Sequence, residues 1–271
     1  MNFSAADTLA PRSGAQRIAT PLLAIFQVAA TLLPSVGIGE PIGDRSDVAR
    51  TLITPAGWAF SIWGPLFAGS VAYAIYQVMS AQRYNGLLAR IAWASAGAFL
   101  GNGLWALYAQ FLGLSAGSVL IIVFTLLCLL HVYRTFTVAR EPFTRAEQIL
   151  VVLPLSALTA WLTAATIVNI AASLKYHGVH AGAWAPAVAA GIVVLGGLIA
   201  SSAVWKGRGN PWYAGVFLWA LAGILAAGGR DHAGVGVAVF AAALLVIASA
   251  VARLLRSEDR DRWFGGRYTR V

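Results

Sequence analysis

The sequence predicts an all-α fold, a polytopic transmembrane helix bundle of about eight spans, from its composition, its apolar runs and the placement of its charges. The 271 residues are 59% hydrophobic and 11% charged, whereas soluble domains carry about 25% charged residues. Apolar runs of about 20 residues, the length that crosses a bilayer, recur along the whole chain. Lysine and arginine lie mainly between these runs, where they orient a chain in a membrane. A soluble domain this poor in charge could not cover its own surface, so the composition indicates an integral membrane protein.

Eight segments are predicted to span the membrane. The first follows Arg12 and Arg17, as the apolar region of a signal peptide would. Its 19 residues exceed the usual length of such a region, about 7–15 residues, and favour a retained span. The seventh segment is the shortest. The segments are 18–36, 58–79, 91–112, 116–133, 149–174, 183–204, 212–227 and 234–255.

The basic residues predict which side of the membrane each loop occupies. With an even number of spans and the N-terminus inside, fifteen of the 19 Lys and Arg residues lie inside and four lie outside, which is the bias of cytoplasmic loops. We therefore predict a multi-pass protein of the cell membrane with both termini in the cytoplasm. The net charge of +9 then serves topology and predicts no nucleic-acid partner. The inside residues are Arg12, Arg17, Arg83, Arg90, Arg134, Arg140, Arg145, Lys206, Arg208, Arg253, Arg256, Arg260, Arg262, Arg267 and Arg270, and the outside residues are Arg45, Arg50, Lys175 and Arg230.

The predicted spans contain almost no ionisable side chains, which argues against several functions. Acidic and basic residues are absent near the span centres, so ion-coupled pumps, ion channels and retinal-type proteins are disfavoured. The sequence also lacks an intramembrane carboxylate or metal-ligand cluster, so neither an enzyme nor a metal site is predicted. His177 and His180 form a His-x-x-His in an outside loop, where a ligand role and an interfacial role are both open. Cys128 is the single cysteine, which excludes an intramolecular disulfide.

Indole and amide side chains inside the spans are the candidate functional groups. Trp63, Trp105 and Trp161 lie at least one turn inside their spans, whereas tryptophan at a span end is usual for the membrane interface. Asn102 precedes Trp105 by three residues and Asn169 follows Trp161 by eight, so each of two helices presents an indole and an amide on one face. An amide buried in hydrocarbon needs a hydrogen-bond partner. Either an interhelical hydrogen bond or a flat ligand in a cavity would supply one, and the sequence leaves both open.

Three segments carry a recognisable pattern. Residues 54–67 read TPAGWAFSIWGPLF, the third span contains Asn102-x-x-Trp105, and the fifth contains Trp161, Ala165 and Asn169 at intervals of four. In this order and in these spans they resemble the TspO/MBR family, the tryptophan-rich sensory proteins and translocator proteins.

The chain also departs from the pattern of that family. The spacing from Phe60 to Trp63 is one residue shorter, and Pro154 lies seven residues before Trp161 where the family has a proline four before it. The last three spans have no counterpart in the five-helix members. The chain therefore resembles a long, divergent relative.

The resemblance implies a TspO-like five-helix unit plus three added helices. It covers the first five spans, which implies a TspO/MBR-like membrane unit at 1–175, three additional transmembrane helices at 176–255 and a cytoplasmic basic tail at 256–271. We interpret the tail as a solvated topological anchor. The resemblance also implies a ligand pocket lined or supported by Trp63, Asn102, Trp105, Trp161, Ala165 and Asn169, with a lid or pocket entrance at Pro55, Trp58 and Phe60.

Family members bind porphyrins, haem-related tetrapyrroles and, in animals, sterols. The resemblance therefore implies a membrane protein that binds a flat hydrophobic ligand, such as a porphyrin or haem-like molecule, with a sensory or regulatory role. No other cofactor is predicted. A transporter of a small hydrophobic or amphipathic molecule is the alternative. The expected partners are the lipid bilayer and this small ligand, and a homodimer is an open alternative to a monomer.

Overall fold

A computed structural model confirms the all-α fold and describes residues 11–139, 141–229 and 231–265. Helix accounts for 83% of the structure, and none of the described residues forms a strand. Eight long helices are joined by short connections, and a shorter helix follows the last of them. They are α1 (Gly14–Leu32), α2 (Trp63–Val78), α3 (Gly86–Leu112), α4 (Ala116–Val138), α5 (Leu153–Tyr176), α6 (Ala185–Lys206), α7 (Pro211–Ile224), α8 (Ala233–Leu254) and α9 (Ser257–Phe264).

Short helical segments extend or connect these helices. Two of them are π-helical turns, a geometry that often marks functional sites within helices. One leads into α5 and the other extends α7. The π-helical turns are Gln148–Val152 and Leu225–Gly229, the 3-10 turns are Leu33–Val36, Gly57–Ile62, Ser80–Gln82 and Gly182–Trp184, and two short α-helical segments are Ile42–Val48 and Arg145–Glu147.

The long helices make the chain a polytopic membrane protein. Among the described residues, seven stretches are both long enough and apolar enough to cross a membrane. They include every long helix except α3, whose 27 residues still exceed the length of a span. The polar side chains of Ser95, Asn102 and Gln110 on α3 are all buried. They therefore lie against protein and not against lipid.

Successive long helices run in opposite directions, so their ends collect at two faces of the bundle. At the terminal face, the backbone N–H of Arg12 donates to the carbonyl of Arg83 at 3.0 Å. At the opposite face, which we call the distal face, the Arg45 guanidinium donates to the carbonyl of Gln110 at 3.0 Å. The α9 helix lies at the terminal face, and the connection between α5 and α6 lies at the distal face.

The centre of the bundle is α5. Its membrane stretch is 78% buried, whereas each of the other six stretches is at most 39% buried. The hydroxyls of Thr159, Thr163 and Thr166 donate to the carbonyls of Leu155, Thr159 and Leu162, at distances of 2.6–2.8 Å. Hydroxyls that bond one turn back on their own helix need no partner on a neighbour. This allows α2, α4, α6 and α7 to pack around α5.

The first five long helices share one bundle, and the other three pack against it. Contacts run from α1 to α2 and α3, from α3 to α4, and from α4 to α5. The α7 helix joins the bundle through α5, where the Tyr213 hydroxyl donates to the Thr163 hydroxyl at 3.0 Å. The α6 and α8 helices pack mainly on each other. The division of the chain into a five-helix unit and a three-helix unit at residue 175 stays a prediction.

The described part of the C-terminal tail is a packed helix. Trp263 and Arg262 on α9 are only 2% and 4% exposed, so these two side chains do not belong to a solvated anchor. The tail residues 266–271 lie outside the described part of the chain. So do four of the residues behind the predicted charge bias, Arg140, Arg230, Arg267 and Arg270.

Two glycines of α6 meet very different surroundings. A Cβ added to Gly197 would lie 2.5 Å from the Cβ of Ala242 on α8, which is closer than real side chains approach. A Cβ added to Gly191 would meet no heavy atom within 4 Å. Gly197 therefore permits the close contact of α6 and α8, as small residues do between helices in lipid.

We expect Gly197→Ala to lower the free energy of unfolding by about 1–3 kcal/mol, because the added methyl group must push α8 away. Gly191→Ala should be neutral or stabilise the protein slightly, because alanine favours the helix and has room. Thermal unfolding of the detergent-purified variants measures both effects. Equal melting temperatures would contradict the close contact between α6 and α8.

Candidate functional site

Aromatic side chains of α2, α5 and the turn before α2 form one cluster. The Trp161 ring meets the rings of Phe60 and Trp63 edge to face, with centroids 6.0 Å apart in each pair, and Trp63 stacks on Phe67 at 5.2 Å. Such geometries stabilise aromatic pairs. The aromatic cluster, Phe60, Trp63, Phe67 and Trp161, thus brings together three residues that the sequence singled out. The indole N–H of the buried Trp161 has no partner among the described residues.

The two candidate amides form hydrogen bonds with different neighbouring helices. The Asn102 amide donates to the side-chain carbonyl of Gln27 on α1 at 3.1 Å. Asn169 accepts a hydrogen bond from the hydroxyl of Ser118 on α4 at 3.1 Å. Both are interhelical hydrogen bonds, one of the two roles that the sequence left open. Trp105, one turn after Asn102, is buried, and its indole N–H has no partner within the described chain.

Each amide also keeps one buried atom without a partner among the described residues. These atoms are the side-chain oxygen of Asn102 and the side-chain nitrogen of Asn169. A buried polar atom without a hydrogen bond destabilises the fold and is the kind of group that a bound molecule can satisfy. Ala165 lies half-buried on α5, between Trp161 and Asn169.

The segment that was expected to form a lid is covered by α7. The backbone N–H of Ala56 donates to the carbonyl of Gly223, and the Trp219 indole donates to the carbonyl of Ala59, both at 2.9 Å. The ring of Trp58 meets the ring of Trp219 edge to face, with centroids 4.9 Å apart. Pro55 is buried, and Trp58 is exposed. The α7 helix therefore clamps the start of α2.

A cavity of about 680 Å³ opens near the distal face, between the end of α5 and the start of α6. Its walls are mainly apolar. None of the nine residues that the sequence analysis proposed for the ligand site lines this cavity. The cavity is built from segments that lie far apart in the chain. The sequence does contain one indication of the cavity, because α6 has small residues, Ala185 and Ala189, on the face that lines the cavity. The lining residues are Arg50, Thr51, Leu52, Ile53, Ala171, Leu174, Lys175, Val179, His180, Ala181, Gly182, Ala185, Val188, Ala189, Ile192, Ala227 and Gly228.

The ionisable side chains that line this cavity are Arg50, Lys175 and His180. The Lys175 ammonium donates a hydrogen bond to the backbone carbonyl of Arg50 at 2.5 Å. The Arg50 guanidinium pairs with Asp47 at 2.5 Å, and both side chains of this pair are exposed. His180 lines the cavity as well. The cavity thus combines apolar walls with a basic rim.

The two histidines of the His-x-x-His motif make different contacts. His177 accepts a hydrogen bond from the backbone N–H of Ala116 at 3.3 Å, whereas His180 lines the cavity. Within the described ranges, no group of three or more His, Cys, Asp and Glu side chains is arranged to hold a metal ion. Cys128 is a free cysteine on α4.

A small void continues from the cavity toward the core. It measures about 30 Å³ and shares Ile53 and Ile192 with the cavity. Its other lining residues include Ala164 on α5, one turn after Trp161, and Phe217 on α7. The aromatic cluster and the cavity therefore lie along the same helix with a lightly packed region between them.

A second cavity, of about 720 Å³, lies at the terminal face and is more polar. Three of its polar side chains, those of Asn85, Thr144 and Glu147, already bind one another. The Asn85 amide donates to a Glu147 carboxylate oxygen at 2.9 Å, and the same Glu147 side chain forms a capping box with Thr144. Because these groups are used in capping helices, this cavity offers less to a ligand than the distal one.

Comparison with protein families places a match over most of the chain. A family model described as TSPO-like protein matches residues 17–252. The matched range includes α6 and α7 and nearly all of α8, in addition to the first five long helices. Comparisons with curated proteins and with solved structures find no match for this chain.

A double-mutant cycle tests whether the Asn102 amide is bound to α1. Gln27→Leu and Asn102→Leu should each destabilise the protein, with a coupling free energy of about 0.6–1.7 kcal/mol, the range of polar contacts between membrane helices. Equilibrium unfolding in detergent or mixed micelles measures it. Gln27→Leu combined with Ser118→Ala is the control, because those residues belong to separate hydrogen bonds and should be additive. Additivity in the Gln27 and Asn102 pair would show that the contact carries no energy.

Proposed function

The chain belongs to the TSPO-like protein family, and we propose that it is a membrane receptor for a flat hydrophobic ligand that carries acidic groups. In this proposal the ligand occupies the cavity between α5 and α6, and the protein has a sensory or regulatory role. The single observation that carries the proposal is this cavity, which combines apolar walls with a basic rim.

The size and lining of the cavity suit a ligand of this kind. Small-molecule sites are commonly about 300–1,000 Å³ in volume, with mainly apolar walls and a few polar groups, and this cavity of about 680 Å³ falls within that range. Leu174 and Val188 line it and are about half exposed on helices that cross the membrane. A hydrophobic ligand would therefore enter sideways from the bilayer and would not need to cross water.

The basic rim favours an acidic ligand. Lys175 and His180 line the cavity, and Arg50 lies at its edge, while the lining contains no Asp or Glu. Ammonium and guanidinium groups form strong charge-assisted hydrogen bonds with carboxylates. A porphyrin with two carboxylate substituents has the required flat apolar body and acidic edge, so it is the probe of choice.

The residues that the sequence singled out would then support the pocket. Trp63 and Trp161 brace α5 through the aromatic cluster, two to four turns before Ala171 and Leu174. Pro55, Trp58 and Phe60 follow directly after the wall segment that ends at Ile53. In the proposal, four further residues on α3 and α5 support the pocket through the packing of these helices: Asn102, Trp105, Ala165 and Asn169.

The same proposal includes an orientation. Most basic residues lie at the terminal face, which by the bias of cytoplasmic loops would be cytoplasmic. Both termini would then be in the cytoplasm of a cell-membrane protein, and the cavity would open toward the outer leaflet. A receptor in this orientation would take ligand from outside and respond inside.

Filling the cavity should weaken binding. We expect Val188→Trp, which places an indole in the cavity, to weaken binding of a dicarboxylic porphyrin by about tenfold or more, equivalent to about 1.4 kcal/mol per decade. Fluorescence quenching and the shift of the porphyrin absorbance band measure the affinity in detergent. Leu195→Trp is the matched control, since Leu195 is exposed on the same helix but does not line the cavity.

Equal affinities of the Val188→Trp and Leu195→Trp variants would remove the cavity as the site. If Trp161→Ala then abolished binding while Trp184→Ala did not, the ligand would sit in the aromatic cluster instead. Sealed vesicles add a further distinction, because net movement of porphyrin across them would make the protein a carrier and not a receptor.

Removing a charge from the rim should affect only an acidic ligand. We expect Lys175→Gln to weaken binding of the dicarboxylic porphyrin about fivefold at low salt, with a smaller effect at high salt, because partly exposed ion pairs are weak and screened. Binding of the uncharged dimethyl ester should change little. The ratio of the two affinities is the measurement, and an equal loss for acid and ester would contradict recognition of the carboxylates.

A further inference from the structure

The C-terminal helix is built into the terminal face by buried side chains. The Arg262 guanidinium lies 4.7 Å from the centroid of the Phe143 ring, and Trp263 lies beside the same ring at 6.1 Å. Burial lowers the pKa of Arg262 to about 10, so the side chain stays charged near neutral pH. Arg253 at the end of α8 pairs with Asp259 on α9 at 2.8 Å. A helix with these contacts holds a defined position.

Four hydrogen bonds tie α9 and Gly265, the residue that follows it, to other parts of the bundle. Arg262 donates to the carbonyl of Phe136 near the end of α4 at 2.5 Å. The buried Gln148 side chain donates to the carbonyls of Arg262 and Gly265, each at 3.1 Å. The Trp263 indole donates to the carbonyl of Arg208, in the connection between α6 and α7, at 2.8 Å. The α9 helix therefore binds the terminal ends of α5, α6 and α7 at once.

The same three helices wall the distal cavity at their other ends. Ala171 and Leu174 come from α5, Val188 and Ile192 from α6, and Gly228 from the extension of α7. Helices are stiff along their length, so a shift at one end is carried to the other. A ligand that spreads these helices at the distal face would therefore act on the contacts of α9 at the terminal face.

The connected helices contain turns that have an alternative geometry. The π-helical turn that begins at Gln148 starts at the residue bound to α9, and the segment Leu225–Gly229, which includes two cavity residues, has a kink at Gly228, where φ is 105°. Turns of this kind are rare within helices and occur frequently at functional sites. Arg208, which accepts from Trp263, has a φ of 55°, a left-handed conformation that a non-glycine residue adopts only when its surroundings hold it there.

We propose that α9 is a latch that holds the terminal ends of α5, α6 and α7 together and is released when the distal cavity is filled. Release would free the Arg262 and Trp263 side chains for a response at the terminal face. The inference rests on the proposed function for the identity of the ligand, and it gives that function an output. Because coupling between sites is reciprocal, loosening the latch should also open the cavity.

The first experiment loosens the latch and observes the cavity. In a Cys128→Ala background, Ala171→Cys places a thiol in the cavity wall, and its rate of reaction with a maleimide reports access. Trp263→Phe keeps an aromatic ring but removes the indole N–H with its hydrogen bond and part of the buried contact, which should raise the rate about fivefold. Gln148→Met should act in the same direction. Arg260→Gln is the control, since Arg260 is exposed on the same helix.

The second experiment fills the cavity and observes the latch. A spin label at Glu258→Cys, again without Cys128, reports the mobility of α9. Val188→Trp should increase this mobility, and Leu195→Trp should not. The latch would be overturned if the maleimide reaction rate of Ala171→Cys were unchanged in both latch variants while their melting temperatures were retained. It would also be overturned if the mobility of the spin label were unchanged in Val188→Trp.

Neither experiment requires a ligand, so the two proposals fail separately. If both experiments respond but the dicarboxylic porphyrin does not bind, the proposed ligand is wrong and the latch stands. If the porphyrin binds and neither experiment responds, the binding function stands and the latch is wrong.

Discussion

The burial of α5 is the constraint on which the rest of the bundle depends. In a bilayer no water reaches a central helix, so a polar group on it that protein does not satisfy lowers the stability of the fold. The hydroxyls of Thr159, Thr163 and Thr166 bond within the helix itself, and Ser156 accepts from Asn210 at 2.9 Å. Small side chains elsewhere on α5 let its neighbours approach closely. Its position therefore determines where α2, α4, α6 and α7 can lie.

The same helix links three regions that are distant along the membrane normal. At 1.5 Å per residue, its 24 residues span about 36 Å. Trp161 packs in the aromatic cluster, Ala171 and Leu174 wall the cavity near the distal end, and Gln148 binds α9 just before the terminal end. A helix that is buried along most of its length resists local bending, so a movement at one end is carried along it. This makes α5 the physical connection between the proposed site and the proposed latch.

The sequence predicted the helices because a membrane span is a local property of composition and length. The prediction of 149–174 for the fifth span agrees with the helix that ends at Tyr176, and its π-helical lead begins at Gln148. The clamp by α7 was not predictable, because Trp219 and Gly223 resemble ordinary residues of an apolar run, and the partner of Trp219 lies 160 residues earlier. The cavity was not predictable for the same reason, because segments distant in the chain form its walls. Arg262 resembled a solvated charge because no local signal indicates that Phe143 will cover it.

The basic side chains at the two faces differ in how firmly they are held. At the terminal face, Arg12 donates to the backbone and the side chain of Gln77, and Arg262 is buried against Phe143, so these charges fasten helices together. At the distal face, Arg50 and Lys175 hold only an exposed ion pair and a backbone carbonyl. Exposed pairs of this kind contribute little stability, about 0–1 kcal/mol. An incoming carboxylate could therefore take over the distal charges at low cost, whereas the terminal contacts would yield only to movement of whole helices.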